Sequence, residues 1–304
     1  MDERKLLKEI EPVAGDLLNR HLGVAKEWFP HEMVPYSRGK DFVPGSQWDK
    51  NDADFGSVSN EMSEAVRASL YVNLLTEDNL PYYFRDIDQL FGNDGAYGEW
   101  GRNWTAEEGR HSIVIRDYLT VTRAIDPIAL ERARMQQVRS GQVPAPLDIY
   151  EALAYLTMQE LATRIAHRNT GKMMNDEVGE AIMSRVGNDE NLHYLFYRDL
   201  ATAAIAVDPS NMVIGIERAV RTFAMPGTGI TDFEKLSREI ARVGIYDLLI
   251  HHDQILQPVV MRHWKLEQLT GLTDEAEKAR EALFKRIERI GKVGAKMASD
   301  RINA

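Results

Sequence analysis

The stretch WTAEEGRH, Trp104 to His111, holds a carboxylate and an imidazole three positions apart, Glu108 and His111. Residues three apart on an α-helix share a face, so both side chains reach one small volume. Outward from it, Trp100, Trp104, Glu108, His111, Ile115 and Tyr118 recur at spacings of four and three, a helical stripe. The same spacing returns in NDENLH, where Glu190 and His193 lie on the stripe Ile182, Val186, Glu190, His193, Tyr197, Leu200. Two further stripes carry a lone glutamate. They are Val66, Leu70, Asn73, Glu77, Leu80, Phe84, Ile87 and Ile149, Leu153, Leu156, Glu160, Thr163, His167. Strand signals are sparse, with no series of short alternating Val/Ile/Thr runs bounded by turns.

The reading is therefore all-α, with helices at 3–20, 57–90, 95–124, 127–139, 147–171, 175–206, 210–224, 232–243, 247–268 and from about 273. Breaks such as Gly92 to Gly95, Pro144 to Pro146, Asp208-Pro209 and Pro226-Gly227 are too short for domain linkers, so residues 1–304 are read as one domain. Pro81 falls inside the stripe that carries Glu77; because the stripe continues to Ile87, a kinked helix is expected there rather than a helix end.

A carboxylate in the middle of an apolar stripe needs a partner. Glu-x-x-His alone is a weak signal, but order and interval add to it: Glu77 precedes Glu108 by 31 residues and Glu160 precedes Glu190 by 30. These are two copies of one helix-hairpin unit, which predicts a pseudo-twofold site for two metals held by Glu77, Glu108, His111, Glu160, Glu190 and His193. The set is the established ligand pattern of ferritin-like two-metal four-helix bundles. The chain has no cysteine, which removes thiolate ligands, disulfides and thiol nucleophiles, and oxygen and nitrogen donors suit iron or manganese. Glu107 and Asp189 each stand four residues before a histidine of the set, and ligating imidazoles commonly donate their second N–H to a carboxylate. For Glu107 the alternative is an exposed helix acid.

Composition sets outer bounds. The chain is 44% hydrophobic and 28% charged, with a net charge of −10, which argues against non-specific nucleic-acid binding. The opening residues MDERKLLKEIEPVAGDLL contain neither a signal-peptide core nor an apolar span, so a cytoplasmic protein without a transmembrane segment is expected.

At these residues the sequence resembles the soluble acyl-[acyl-carrier-protein] desaturases, most closely their actinobacterial branch. The resemblance runs from about Leu17 to Leu272 through Glu27-Trp28-Phe29-Pro30, TEDNLP from Thr76, WTAEEGRH, QELATRIAHRNT from Gln159, NDENLH, Ala224-Met225-Pro226, RVGIYD from Arg242 and HWKLEQLTGL from His263. It implies the same six metal ligands, two iron ions, and a threonine beside the oxygen site, which is Thr163. It also implies a route from Trp28 through Asp189 to a ligand histidine. The threonine and the tryptophan are equally compatible with simple core packing. Gly109, where the family commonly has asparagine, loosens the helix between two ligands by about 1 kcal/mol relative to alanine. Asp86 replaces an apolar pocket residue of the plant enzymes, so chain length and double-bond position do not transfer.

The activity implied is insertion of a double bond into a saturated acyl chain held on acyl carrier protein, with electrons from a ferredoxin-type donor and a homodimeric assembly. A narrow apolar channel lined by Trp100, Trp104, Phe84 and Tyr155 is expected. Two rival readings remain: a ferroxidase, which would need an exposed polar approach to the metals, and a silent carrier-binding paralogue. An acidic carrier protein calls for local positive charge. Two stretches offer it: Arg132, Arg134 and Arg139, and the run Arg280, Lys285, Arg286, Arg289, Lys292, Lys296.

Overall fold

Helix starts in this chain are written by aspartate. Asp2, Asp126, Asp148, Asp176, Asp208 and Asp247 each accept a backbone N–H from the first turn that follows, and Ser63 does the same at Val66. Such caps satisfy donors that a helix leaves open and contribute about 1 kcal/mol apiece. The computed structural model describes residues 2–50, 61–225, 227 and 229–302, and these contain helices and turns but no strand. In order the helices are α1 (Glu3–Val24), α2 (Pro30–Met33), α3 (Glu64–Glu77), α4 (Leu80–Phe91), α5 (Gly95–Val121), α6 (Pro127–Ser140) and α7 (Ile149–Lys172). They continue with α8 (Glu177–Val207), α9 (Pro209–Thr222), α10 (Phe233–Arg242), α11 (Leu248–His251) and α12 (Asp274–Ile302).

Helices α3, α5, α7 and α8 form the central bundle, α1 lies against α5 and α8, α9 packs on α7, and α12 packs on α9. Two apolar layers meet inside. One gathers Trp100, Trp104, Leu153, Tyr197 and Leu200; the other gathers Leu70, Leu74, Ile115, Tyr118, Ile182 and Val186. On α5 and α8 the changeover between layers falls at Glu108–His111 and Glu190–His193, which puts the polar ligands at the seam.

Two expectations need correction. The helix read as continuous from 57 to 90 stops at Glu77 and restarts at Leu80, with Asp78 and Asn79 between; residues 57–60 lie outside the described residues, as does Pro226. Pro81 causes no kink, because it occupies the first turn of α4, where a missing N–H has no partner to lose. The segment read as one helix from 247 to 268 is a single α turn that widens into a π-helix over His252–His263, carrying Pro258 inside it. The Trp264 N–H reaches back five residues to the Val259 carbonyl.

Candidate metal centre

Each ligand comes from a different point of the bundle: Glu77 from the last turn of α3, Glu108 and His111 from the middle of α5, Glu160 from α7, and Glu190 and His193 from α8. The structure brings all six together, each less than a tenth exposed. Ligand atoms of Glu77, Glu108, His111 and Glu190 lie within 4.8 Å of one another, and so do those of Glu108, Glu160, Glu190 and His193. Glu108 and Glu190 belong to both groups and so sit where bridging carboxylates would. Glu108 presents one oxygen 3.0 Å from His111 Nδ1 and the other 2.9 Å from His193 Nδ1.

The donor set fits two metals. Glu160 Oε2, Glu190 Oε2, His193 Nδ1 and His167 Nε2 are buried without a directed hydrogen bond, an arrangement that costs free energy unless something else satisfies it. Protons take up part of that role in the metal-free centre. Burial, helped by the charge of Glu108, pushes the Glu77 carboxyl up to about 8, and burial also holds Glu160 well above the carboxylate range. Burial works upward on Glu190 too, but the His167 and His193 imidazoles, 3.3 and 3.7 Å away, outweigh it and hold this carboxyl well below its usual value. Burial would strip the proton from His111 and His193; the surrounding carboxylates reverse this and raise both well above the ordinary imidazole range.

The outer carboxylates cross over. Asp189, on α8, faces His111 of α5 at 3.5 Å from Nε2, whereas Glu107, on α5, accepts from His193 Nε2 of α8 at 2.8 Å. Both imidazoles thereby turn Nδ1 inward. Trp28 Nε1–H donates to Asp189 at 2.7 Å, and the guanidinium of Arg110 lies 5.0 Å from the centre of the Trp28 ring. Glu107 is only slightly exposed, so the exposed-acid reading does not hold. Thr163 lines the cleft, with its hydroxyl donating to the Gln159 and Glu160 carbonyls of its own helix.

A narrow cleft runs from the ligands outward between α4 and α7. Leu80, Tyr83, Ile87, Trp104, Tyr155 and Leu156 give it apolar walls, Glu77, Glu108 and Glu190 floor it, and Pro144, Pro146 and Asp86 stand with them along its length. Of the four residues expected along a channel, Trp104 and Tyr155 line this cleft, and Trp100 and Phe84 lie elsewhere. Trp100 stacks flat on Phe196 at 3.6 Å behind His193, and Phe84 packs towards Gly101 on α5. Both lie on the predicted stripes, but a stripe spans more than one neighbour, and which of them a side chain meets is set by helix crossing.

Two histidines were not singled out by spacing. His167 Nε2 lies 3.3 Å from Glu190 and 3.5 Å from Glu77, and these carboxylates outweigh burial to raise it to about 9. Its place on the α7 stripe was the available signal. His21, on α1, bonds Glu107 at 3.1 Å; its signal was the buried row Leu6, Ile10, Ala14, Leu17, His21.

A fatty acid desaturase family model matches residues 2–304. DesA1 of Mycobacterium tuberculosis, assigned by name to the acyl-[acyl-carrier-protein] desaturases, is 39% identical over 293 residues, covering 93% of this chain and 84% of its own. Stearoyl-[acyl-carrier-protein] 9-desaturase 6, chloroplastic, of Arabidopsis thaliana is 31% identical over 285 residues, covering 86% of this chain and 71% of its own. Among solved structures, DesA2 of Mycobacterium tuberculosis superposes with a TM-score of 0.69 at 22% identity, over 90% of this chain and 99% of that one, which supports the ferritin-like helical fold. With one family description spanning nearly the whole length and a relative this similar across most of both chains, this chain belongs to the fatty acid desaturase family.

Proposed function

We propose that this chain introduces a double bond into a saturated acyl chain carried as a thioester on acyl carrier protein, in the cytoplasm, using O2 and electrons from a ferredoxin-type donor. One observation carries the reading: an apolar cleft ends on a buried cluster of four glutamates and two histidines. Glu77 and His111 would hold one iron, Glu160 and His193 the other, with Glu108 and Glu190 shared. Bound iron supplies the oxygen-dependent removal of hydrogen from an unactivated methylene, which none of these side chains can perform.

The protein's own part is geometry. Leu80, Ile87, Tyr155 and Leu156 confine an extended chain, and Trp104 closes on it beside Glu160, to which its Nε1–H donates at 3.2 Å. Thr163 would turn its hydroxyl from its own helix towards the cleft. Asp189 and Glu107 fix the inward-facing nitrogen of each ligand histidine, and Trp28, next to Asp189, gives electrons a way in. A ferroxidase would call for a polar approach, which these walls do not offer.

Carrier docking is assigned to the end of α6 and the loop after it. That loop contributes Pro144 and Pro146 to the cleft, while three of the basic side chains of α12 serve other contacts: Arg280 caps the Leu266 and Leu269 carbonyls, and Lys285 and Lys292 pair within the helix. Within the favoured segment Arg134 is engaged by Asp78 at 2.6 Å, leaving Arg132 and Arg139 as the docking charges. Reversing both should raise the KM for acyl carrier protein about tenfold at low salt and hardly at all at high salt. A homodimer is part of the proposal, tested by sedimentation of the 34.6 kDa chain. No helix among the described residues is long and apolar enough to cross a membrane.

The deciding experiment supplies iron, O2, reduced ferredoxin and stearoyl-acyl carrier protein, and weighs the product. An acyl chain lighter by two hydrogens is expected. Iron oxidation that proceeds at the same rate without acyl substrate, and leaves the chain unchanged, would favour the ferroxidase.

A further inference from the structure

The two halves of the centre are anchored from outside the four metal helices by the N-terminal segment, and in different ways. On one side Trp28 holds Asp189, which faces His111, and Arg110 and Arg185 also reach that carboxylate. On the other side Glu107 places Oε2 at 2.8 Å from His193 Nε2 and Oε1 at 3.1 Å from His21 Nε2. The His21 ring runs nearly parallel to His193, with centroids 5.9 Å apart, and meets Trp100 edge-on at 5.1 Å. His21 is 3% exposed, and its second nitrogen, Nδ1, is buried without a partner. A leucine would fill an apolar slot without that cost, so packing alone does not account for an imidazole here.

We infer that His21 is a positioning residue for the Glu160–His193 half of the centre, acting through Glu107. A carboxylate with one oxygen free can rotate; with both oxygens taken by imidazole N–H groups it cannot. Fixing Glu107 keeps the His193 N–H on Nε2 and leaves the lone pair of Nδ1, on the side of Glu108, Glu160 and Glu190, to ligate metal. Partners at this remove from a metal commonly alter its affinity by about 10–100-fold. The inference rests on the metal reading proposed above, and α1 becomes part of the centre rather than a covering helix.

The test titrates metal-free protein with Co2+, whose visible absorption reports the donors around it. Wild type should take up two Co2+ per chain. His21→Phe, which keeps a ring in the slot but loses the N–H, should bind the first normally and the second about 10–100-fold more weakly, with an altered spectrum. His21→Gln, whose side-chain amide N–H lies near the position of Nε2, should recover most of that affinity. Normal uptake of both ions by His21→Phe would overturn the inference, and so would equal losses in the two variants, which would mean packing alone. His21→Phe failing to fold without metal while His21→Gln folds would make His21 a structural contact and overturn it too. If wild type itself does not bind two Co2+, the metal reading falls and the inference goes with it.

Discussion

His193 and His251 are both buried, the first in the candidate metal centre on α8 and the second on the short turn α11, yet their proton affinities move in opposite directions. Around His193, and likewise His111 and His167, facing carboxylates outweigh burial and raise the imidazole. His251 meets the Phe223 ring at 4.6 Å and the Tyr246 hydroxyl at 2.8 Å, and burial, aided by nearby His252, pushes it down to about 4. Burial sets how much a partner matters; the partner sets the charge. His251, at the entry to the π-helix, is therefore neutral, and the histidines of the candidate metal centre are charged.

The largest effect expected from this contrast lies among the glutamates of the metal-free protein. Glu190→Gln removes the charge that balances His167 and His193, and should cost about 3–5 kcal/mol in denaturant unfolding with chelator present. Glu160→Gln replaces a carboxyl that burial already keeps protonated, and should stay within about 1 kcal/mol of wild type. Equal losses would break the contrast. Both variants should fail to hold two metals.

Next comes pH. Above 6.5 His251 is neutral whether the chain is folded or not. As pH falls below 6.5 the unfolded chain takes up a proton that the folded one refuses until about 4, so stability drains away across that window. The 2.5-unit gap corresponds to about 3 kcal/mol. His251→Gln should flatten the stability profile between pH 6.5 and 4, and an unchanged slope would place the titration elsewhere. His167, raised to about 9, has the opposite sign: its contribution is complete below pH 6.5 and is lost as pH rises through 9 in the metal-free protein.

Smaller effects sharpen the same point. Tyr246→Phe deletes a neutral hydrogen bond to His251 and should cost about 1–2 kcal/mol at pH 7, read from thermal unfolding. Thr163→Val should change metal-free stability by less than about 1 kcal/mol, because that hydroxyl bonds only carbonyls of its own helix. Its effect should appear in desaturation per O2 consumed instead.

Helical periodicity made much of this molecule readable without coordinates. Stripes of period 3.6 specify which side chains share a face, and six polar residues on four such faces converge wherever the helices pack together. The family blocks fell on the same positions. What periodicity could not reach were features that depend on a second element. Pro81 is compatible with a kink or a first turn, and only the packing of α4 on α5 and α7 selects the first turn. The π-helix at His252–His263 carries no distinguishing spacing in its sequence; its wider turn shows in the backbone of the structure, as in the five-residue hydrogen bond at Trp264. Arg134 looked like a free docking charge until Asp78, far away in sequence, was found against it.

The sequence by itself determined the fold class, the composition of the candidate ligand set and its pairing into two hairpins, because these depend on spacing along a single helix. Only the tertiary structure decided that Glu107 serves His193 while Asp189 serves His111, that His21 and His167 join the cluster, and that Trp100 stands behind His193 rather than along the cleft. Each of these depends on how neighbouring helices cross and on their relative rotation. A helix's own periodicity carries no information about either.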